Sequence, residues 1–356
     1  MNPILVSSTA ESTGKTAIAL ALARRAAESG QAVGYMKPKG TRLQSAVGKT
    51  LDQDPMLARE LLALDEEMHE MEPIVYSPTF VLEAVRGRED PDALAESVSD
   101  NYGAVADGKD LVVVEGADDY VTGGIVDLTD PDVAELLDAA VLLVTTYEGP
   151  GDVDEILAAA EAFGDRLGGV LFNAVSDDQF DQLTEDVIPF LEGRGVTVLG
   201  ALPSVQDLAG VTVGDLAAEL GAEILTSEAA TGAYVERFLV GAMGGDAALS
   251  ALRRTREAAV ITGGDRSDIQ TAALGAPGVK CLLLTGGLRP ADAVLGRAEE
   301  AGKPVLLVQG DTRTTIDRAE AVVRSGRTRD VETVERMGAL LADSVDVDAV
   351  LSIADR

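Results

Sequence analysis

The chain has 356 residues, 46% of them hydrophobic, with 61 acidic against 29 basic side chains and a formal net charge of −32. Because single domains usually hold roughly 100–200 residues, this length predicts two domains. So negative a surface repels phosphate backbones and anionic lipids, which argues against nucleic-acid and membrane-surface roles. The acidic residues are dispersed and only seven basic residues are lysines, so we expect a source adapted to high salt. The single cysteine, Cys281, indicates a reducing, cytoplasmic location.

Apolar runs and Ala/Leu-rich segments alternate along the first 200 residues. We predict strands at Ile4–Ser8, Ala32–Met36, Leu111–Glu115, Val141–Thr145, Gly169–Phe172 and Thr197–Leu199. We predict helices at Ala17–Ala27, Val133–Leu137 and Val153–Phe163. The run LVVVE is apolar almost throughout, which is typical of a strand buried on both faces. Repeated strand, helix and strand units predict an α/β fold with a doubly wound, mostly parallel sheet.

The small, polar segment TSEAATG at residues 226–232 predicts a domain boundary. We therefore assign residues 1–225 to the first domain and residues 232–356 to a second, smaller α/β domain that includes C-terminal helices. In the second domain we predict strands at Ala259–Thr262, Lys280–Thr285 and Pro304–Gln309, and helices at Ser267–Leu274, Ala291–Ala301 and Thr315–Arg324. Two strand ends, VITGG and LLTGG, lie 23 residues apart, as consecutive strand–helix units would.

A phosphate-binding loop is predicted between the first strand and the first helix, where the sequence reads STAESTGKT. The full P-loop pattern begins with Gly, and Thr9 stands there, so the match is partial. Backbone N–H groups around Ser12, Thr13 and Gly14 would converge on an anion at the helix N-terminus. Lys15 would bridge phosphates and the Thr16 hydroxyl would ligate Mg²⁺. The alternative is that Gly14, Lys15 and Thr16 simply cap the helix.

Further site candidates follow the later strands. Lys37, at the end of the second strand, is predicted to reach the phosphates, and Thr41 shares its loop. Glu115 ends the most hydrophobic strand, and Asp54 lies in the acidic LDQDP; both carboxylates suit Mg²⁺ or its water shell. Each also has an ordinary interpretation as a solvated surface residue.

Asn173 ends a later strand, and its amide has the donor and the acceptor that an adenine edge requires. The alternative is a turn-forming Asn. His69 is interpreted as a surface residue and Cys281 as a core residue. One His and one Cys make a transition-metal site improbable.

The phosphate-binding loop, YMKPKGT, VVVEGA and VLFNAV occur in an order that resembles dethiobiotin synthetase, and more closely the dethiobiotin-synthetase-like N-terminal region of long phosphotransacetylases. ITGGDRSDIQTAAL and CLLLTGGLRP resemble the DRTGG domain. The resemblance implies catalytic roles for Lys15 and Lys37, a metal set of Thr16, Asp54 and Glu115, and a nucleotide contact at Pro203 as well as Asn173. It also implies a homodimer.

The resemblance implies substrate or effector candidates in both domains. These are Thr41, Gly116, Asp265, Arg266, Gly286 and Gly287. Dethiobiotin synthetases follow the strand glutamate with a Gly-Ala-Gly-Gly-like loop, whereas Asp118 and Asp119 stand here. The added carboxylates argue against dethiobiotin synthesis. Because the chain stops at Arg356, we do not expect it to transfer acetyl groups by itself.

Three functional hypotheses remain open from the sequence. The leading one is an ATP- and Mg²⁺-binding regulatory or accessory protein of acyl or acetate metabolism, which also responds to a small metabolite through its DRTGG-like domain. The rival is an ATP-dependent ligase that activates a carboxylate or carbamate, with chemistry like that of dethiobiotin synthetase or cobyrinic-acid amidase. The third is a scaffold with a decayed site. Whether the chain is an enzyme stays undecided at this stage.

Overall fold

The chain forms two units, which a computed structural model describes over residues 2–41, 43–46, 49–205, 208, 210–226, 229, 231–241, 252, 254–326 and 331–355. The first unit comprises Met1–Ser204 together with Thr328–Arg356, and the second comprises Val205–Arg327. The chain therefore leaves the first unit, builds the second and returns to the first.

The described part of the first unit is built on a six-stranded sheet. This unit has ten described strands, six of them in that sheet: β1 Ile4–Ser8, β2 Val33–Met36, β3 Lys39–Gly40, β4 Leu43–Ala46, β5 Lys49–Asp52, β6 Ile74–Val75, β7 Leu111–Glu115, β8 Ala140–Thr145, β9 Leu167–Val175 and β10 Val198–Pro203. The sheet order is β10-β9-β8-β1-β7-β2, with every pairing parallel. The predicted parallel α/β sheet is confirmed. Every residue of β1 and β7 is buried, because central strands of such sheets are covered on both faces.

Three of the described helices match the predicted ones, and six more lie in stretches for which the patterns predicted no helix. The helices of the first unit before residue 200 are α1 Lys15–Glu28, α2 Gln53–Leu62, α3 Met68–Met71, α4 Pro78–Val85, α5 Pro91–Ala106, α6 Asp130–Leu136, α7 Val153–Phe163, α8 Asp177–Gln182 and α9 Ile188–Glu192. No residue of α4 is buried and only two of α5 are, so neither helix carries a strong apolar period.

The second unit has its own sheet and core. Its described strands are β11 Val211–Thr212, β12 Glu223–Ile224, β13 Tyr234–Val235, β14 Arg237–Val240, β15 Ala258–Gly263, β16 Val279–Thr285 and β17 Val305–Leu307. Its helices are α10 Val213–Leu220, α11 Ser267–Leu274, α12 Asp292–Glu300 and α13 Thr312–Gly326. Five strands form one sheet in the order β12-β17-β16-β15-β14, parallel except for β12. Cys281 is buried in this core, and His69 of the first unit is exposed.

The division between the units differs from the boundaries at 225 and 232 that the sequence suggested. Apolar residues of α10 and its flanks, including Val213 and Leu216, pack in one core with Ile261 and Leu306, so the segment from Val205 belongs to the second unit. The reason that the sequence placed it in the first domain was its resemblance to the end of that domain.

The C-terminal helices also differ from the sequence-based assignment, because they pack on the first unit and not on the second. They are α14 Val331–Ser344 and α15 Val347–Leu351. Glu335 on α14 pairs with Arg24 on α1 at 2.8 Å, and the Asn2 N–H donates to the Ala354 carbonyl at 3.2 Å. The tail thus packs on helix α1 and also contacts strands of the sheet.

Candidate nucleotide site

The loop between β1 and α1 has the geometry of an anion-binding loop. Ser12 has φ 59° and Gly14 has φ 84°, so two left-handed residues turn the backbone sharply before the helix begins at Lys15. A Cβ at Gly14 would lie 2.2 Å from Asn173 Nδ2, so both the conformation and the space at this position require glycine.

Several polar groups of this loop lack protein partners. No side chain caps the N-terminus of α1, and the buried Thr13 hydroxyl has no hydrogen-bond partner among the described residues. The ammonium of Lys15 donates to Ser8 Oγ at 3.2 Å, and burial lowers the pKa of Lys15, although Asp130 and Glu115 oppose that effect. Uncapped N–H groups, an unpartnered hydroxyl and a buried ammonium fit a phosphate anion.

Thr16 and Glu115 meet beside this loop, as the metal prediction requires. The Thr16 hydroxyl donates to Glu115 Oε1 at 2.5 Å, and the buried Tyr35 hydroxyl donates to Glu115 Oε2 at 2.5 Å. Burial, together with the charge of Asp54, raises the pKa of Glu115. A hydroxyl and a carboxylate oxygen are the donors that Mg²⁺ prefers, so this part of the set fits that cation.

Lys37 is held in a buried ion-pair cluster. Its ammonium contacts Asp54 Oδ2 and lies 3.0 Å from Asp52 Oδ2, with all three side chains at most 2% exposed. Burial acts to lower the pKa of Lys37, but Asp54, Asp52 and Glu115 outweigh it and raise that pKa. Lys37, Asp54 and Glu115 therefore share one electrostatic cluster, and Lys15 interacts with it.

Sequence reasoning missed Asp52 and Glu72. Asp52 caps α2 by accepting the Asp54 N–H at 2.8 Å, and its own N–H donates to Glu72 Oε2 at 2.9 Å. Glu72 is 3% exposed, and Glu72 Oε1 has no hydrogen-bond partner among the described residues. Burial, with the nearby charges of Asp52 and Asp54, raises the pKa of Glu72 to about 7. Asp52 stands in the quoted LDQDP, so its proximity to Asp54 was the available signal.

Thr41 and Asp118 join the loops beside the phosphate-binding loop. The Thr41 hydroxyl donates to Asp118 Oδ1 at 2.6 Å, and the Ser8 hydroxyl donates to the Asp118 carbonyl at 3.2 Å. Asp118 therefore links the loop after β7 to Thr41 and to the end of β1.

The predicted substrate candidate Gly116 lies against a buried carboxylate. A Cβ at Gly116 would lie 1.9 Å from Asp130 Oδ2, which also accepts the Ser7 hydroxyl at 2.6 Å. Asp130 Oδ1 lies 3.2 Å from Lys39 Nζ, which also donates to the Thr122 carbonyl at 2.8 Å. Burial lowers the pKa of Lys39, with Asp130 opposing it. Lys39 and Asp130 tie the loop after β7 to the sheet.

The predicted adenine contacts lie at the carboxyl ends of β9 and β10. Asn173 Nδ2 donates to the Thr13 carbonyl at 2.8 Å, so this amide supports the phosphate-binding loop directly. Pro203 pairs with Val175 on the neighbouring strand. Contact of Asn173 and Pro203 with an adenine stays a prediction.

The candidates in the second unit lie at the ends of its parallel strands. The N–H groups of Gly286 and Gly287 donate to the Gly310 and Val308 carbonyls at 2.8 and 3.0 Å. These two amides are therefore engaged within the protein. Asp265 is exposed and Arg266 lies 3.3 Å from Asp268, on the turn before α11. An effector role for these residues stays a prediction.

Within the described ranges, no cluster of three or more His, Cys, Asp or Glu side chains is arranged to hold a metal ion. A magnesium site here would therefore rely on Thr16, phosphate oxygens and water besides carboxylates. None of the helices in the described part of the chain is long and apolar enough to span a membrane.

Comparison with known proteins assigns the fold of both units. The family model described as AAA domain matches residues 2–212. The chain belongs to this AAA-domain family. A second model, the DRTGG domain, matches residues 215–322. The predicted combination of a P-loop domain with a DRTGG domain is confirmed.

Relatives of this AAA-domain protein agree with the predicted resemblance. The chain is 27% identical to a phosphate acetyltransferase of Pseudomonas putida over 97% of its own length and 51% of the relative. It is 32% identical to an ATP-dependent dethiobiotin synthetase of Frankia casuarinae over 48% of its length and 71% of the relative. Cobyrinic acid a,c-diamide synthase from Mycobacterium smegmatis, solved with bound ADP and magnesium, matches with a TM-score of 0.33 and 14% identity, over 58% of this chain and 87% of that chain. The chain spans about half the length of the phosphate acetyltransferases it matches.

Proposed function

We propose that the first unit binds ATP with Mg²⁺ and that the protein has a regulatory or accessory role in acyl or acetate metabolism. The observation that carries the proposal is the loop before α1, with an uncapped helix N-terminus, a buried ammonium on Lys15 and an unpartnered Thr13 hydroxyl. The amides of this loop and Lys15 would bind the phosphates. Thr16, Asp54 and Glu115 would hold Mg²⁺, which when bound neutralises phosphate charge.

Calorimetric titration of ATP and ADP with millimolar Mg²⁺, in concentrated salt, tests the proposal. Lys15→Met removes a charge-assisted hydrogen bond to the phosphates, and we expect roughly 10- to 100-fold weaker binding. Lys109→Met is the matched control, because Lys109 pairs with Glu66 at 2.6 Å and belongs to none of the contacts of the nucleotide site. Absence of nucleotide binding by the wild-type protein, or equal affinities in the two variants, would refute the proposal.

The regulatory part of the proposal rests on the second unit. Its DRTGG domain would sense a small metabolite. If the two sites are coupled, the metabolite and the nucleotide change each other's affinity by the same factor. A thermal-shift screen of metabolites on the whole chain would identify the second ligand. Titration of ADP with and without that metabolite then measures the coupling, and identical affinities would remove the regulatory claim.

The Thr41–Asp118 hydrogen bond favours regulation over the ligase alternative. In a ligase a carboxylate or carbamate would have to approach the phosphates, and a fixed Asp118 carboxylate in that region repels an anionic substrate. ADP release that requires one added metabolite and disappears in Lys37→Ala would instead favour the ligase.

We also propose that the protein acts as a cytoplasmic homodimer. The single buried cysteine supports a reducing compartment, and the dimer follows from the family resemblance. Sedimentation of the purified chain at several concentrations and at high salt would test the dimer, and a monomer throughout would contradict it.

A further inference from the structure

Asp52 contacts three residues that the sequence predicts for the site. Asp52 Oδ2 lies 3.0 Å from Lys37 Nζ and accepts the Thr41 N–H at 2.8 Å. Asp52 Oδ1 accepts the Asp54 N–H at 2.8 Å. The Asp52 side chain is fully buried. These contacts reach the loop after β2 and the first turn of α2, so the position of Asp52 fixes both segments.

The carboxylates of Asp52 and Asp54 both compensate the buried ammonium of Lys37, but only Asp54 is also a proposed metal ligand. A buried ammonium is costly unless it is paired. Asp54 contacts Lys37 and is also a proposed metal ligand, whereas Asp52 lies 3.0 Å from Lys37 Nζ, accepts the Thr41 and Asp54 N–H groups and is not among the proposed metal ligands. A carboxylate that shares its charge with a divalent cation compensates an ammonium less well.

We propose that Asp52 is a positioning residue: it keeps the Lys37 ammonium paired and in place when Asp54 binds Mg²⁺. This inference rests on the proposed function, because it concerns nucleotide binding in the presence of Mg²⁺. Glu72 helps to hold Asp52 in position, since its Oε2 atom accepts the Asp52 N–H at 2.9 Å. The expected consequence is that the gain in nucleotide affinity from Mg²⁺ depends on Asp52.

The test compares ADP affinity in EDTA and in millimolar Mg²⁺, by calorimetry on the whole chain. Asp52→Asn keeps an oxygen that can accept the Asp54 N–H but removes the charge beside Lys37 and the oxygen that accepts the Thr41 N–H. We expect the Mg²⁺-dependent gain in affinity to fall by about tenfold, within the usual range of coupling between sites. Asp90→Asn is the matched control, because Asp90 caps α5 in the same way, accepting the Asp92 N–H at 3.1 Å. This control should keep the full gain.

A second pair of variants separates positioning from a general loss of stability. Adding Asp52→Asn to Lys37→Met should reduce the Mg²⁺-dependent gain much less than adding it to the wild-type chain, because without the ammonium only the backbone contacts of Asp52 are lost. This pair also serves if Asp52→Asn alone does not fold, since the double variant removes the opposite buried charges of Lys37 and Asp52 together.

Three outcomes would overturn the inference. They are an unchanged gain in Asp52→Asn, a loss of gain from Asp52→Asn that is as large in the Lys37→Met background as in the wild-type chain, and a wild-type protein that binds ADP equally with and without Mg²⁺. The last leaves nucleotide binding intact. A wild-type protein that binds no ADP in either condition would overturn the proposed function itself, and this inference with it.

Discussion

Replacement of the buried Glu72 by glutamine should make the protein more stable at pH 8 and less sensitive to pH. The pKa of Glu72 is raised from 4.5 to about 7, first by burial and then by Asp52 and Asp54. Between about pH 4.5 and 7 the folded chain therefore binds a proton at Glu72 that the unfolded chain releases. The free energy of unfolding falls as pH rises through that window, and it stays low above it.

The magnitude follows from the size of the shift. A difference of about 2.5 pKa units corresponds to about 3 kcal/mol at 1.36 kcal/mol per unit. Glu72→Gln avoids the buried charge but leaves an amide donor without a known partner, which costs about 1–2 kcal/mol. We therefore expect a net stabilisation of about 1–2 kcal/mol at pH 8. At pH 5 the wild-type carboxyl is already mostly protonated, so the stabilisation should disappear.

The assay is urea-induced unfolding followed by circular dichroism at fixed salt, from pH 5 to pH 8. Fixed salt matters because screening changes all surface charge effects in so acidic a chain. Glu60→Gln, at an exposed site of α2, should leave the pH profile unchanged. Parallel profiles for wild type and Glu72→Gln would refute the reasoning.

Two further substitutions test the construction of the site. Gly14→Ala combines a left-handed φ of 84° with a Cβ 2.2 Å from Asn173 Nδ2, so we expect a loss of about 2–3 kcal/mol in thermal unfolding. Gly30→Ala has a similar φ of 95° but meets nothing within 4 Å, so it should lose only about 1 kcal/mol. Tyr35→Phe removes a donor from the buried Glu115 and should cost about 1–3 kcal/mol in the same assay.

Equal losses in Gly14→Ala and Gly30→Ala would show that contact with Asn173 contributes nothing. For the tyrosine, the control is Tyr102→Phe, in which a half-buried ring loses its hydroxyl away from the site. A loss as large in Tyr102→Phe as in Tyr35→Phe would contradict a specific role for the bond to Glu115.

Local patterns predicted the central elements and the loop well. Strands at Ile4–Ser8 and Leu111–Glu115 and helices at Val153–Phe163 and Ser267–Leu274 have the predicted bounds. The two strands are almost wholly apolar and Val153–Phe163 is amphipathic, and such segments carry their own signal. The meeting of Thr16 with Glu115 was also predictable, because the carboxyl ends of neighbouring parallel strands share one edge of the sheet.

The supporting contacts were not predictable from the sequence, since they join distant positions. Ser7 and Asp130 are 123 residues apart, and Asp52 and Glu72 are 20 apart across a stretch without clear period. In a chain with 61 acidic residues, nothing local distinguishes a buried carboxylate from a solvated one. The contact of Tyr35 with Glu115 was equally unpredictable, because a tyrosine inside an apolar strand is typical of any protein core.

Because the chain passes from the first unit to the second and back again, the choice of fragments for experiments on single units is restricted. A fragment that stops after the second unit would lose α14 and α15, and with them the cover of α1, the helix that begins at the phosphate-binding loop. Truncation of the chain at a single point would thus remove part of the first unit. A better way to isolate the first unit is to replace Val205–Arg327 as a whole by a short linker and to retain both flanking segments.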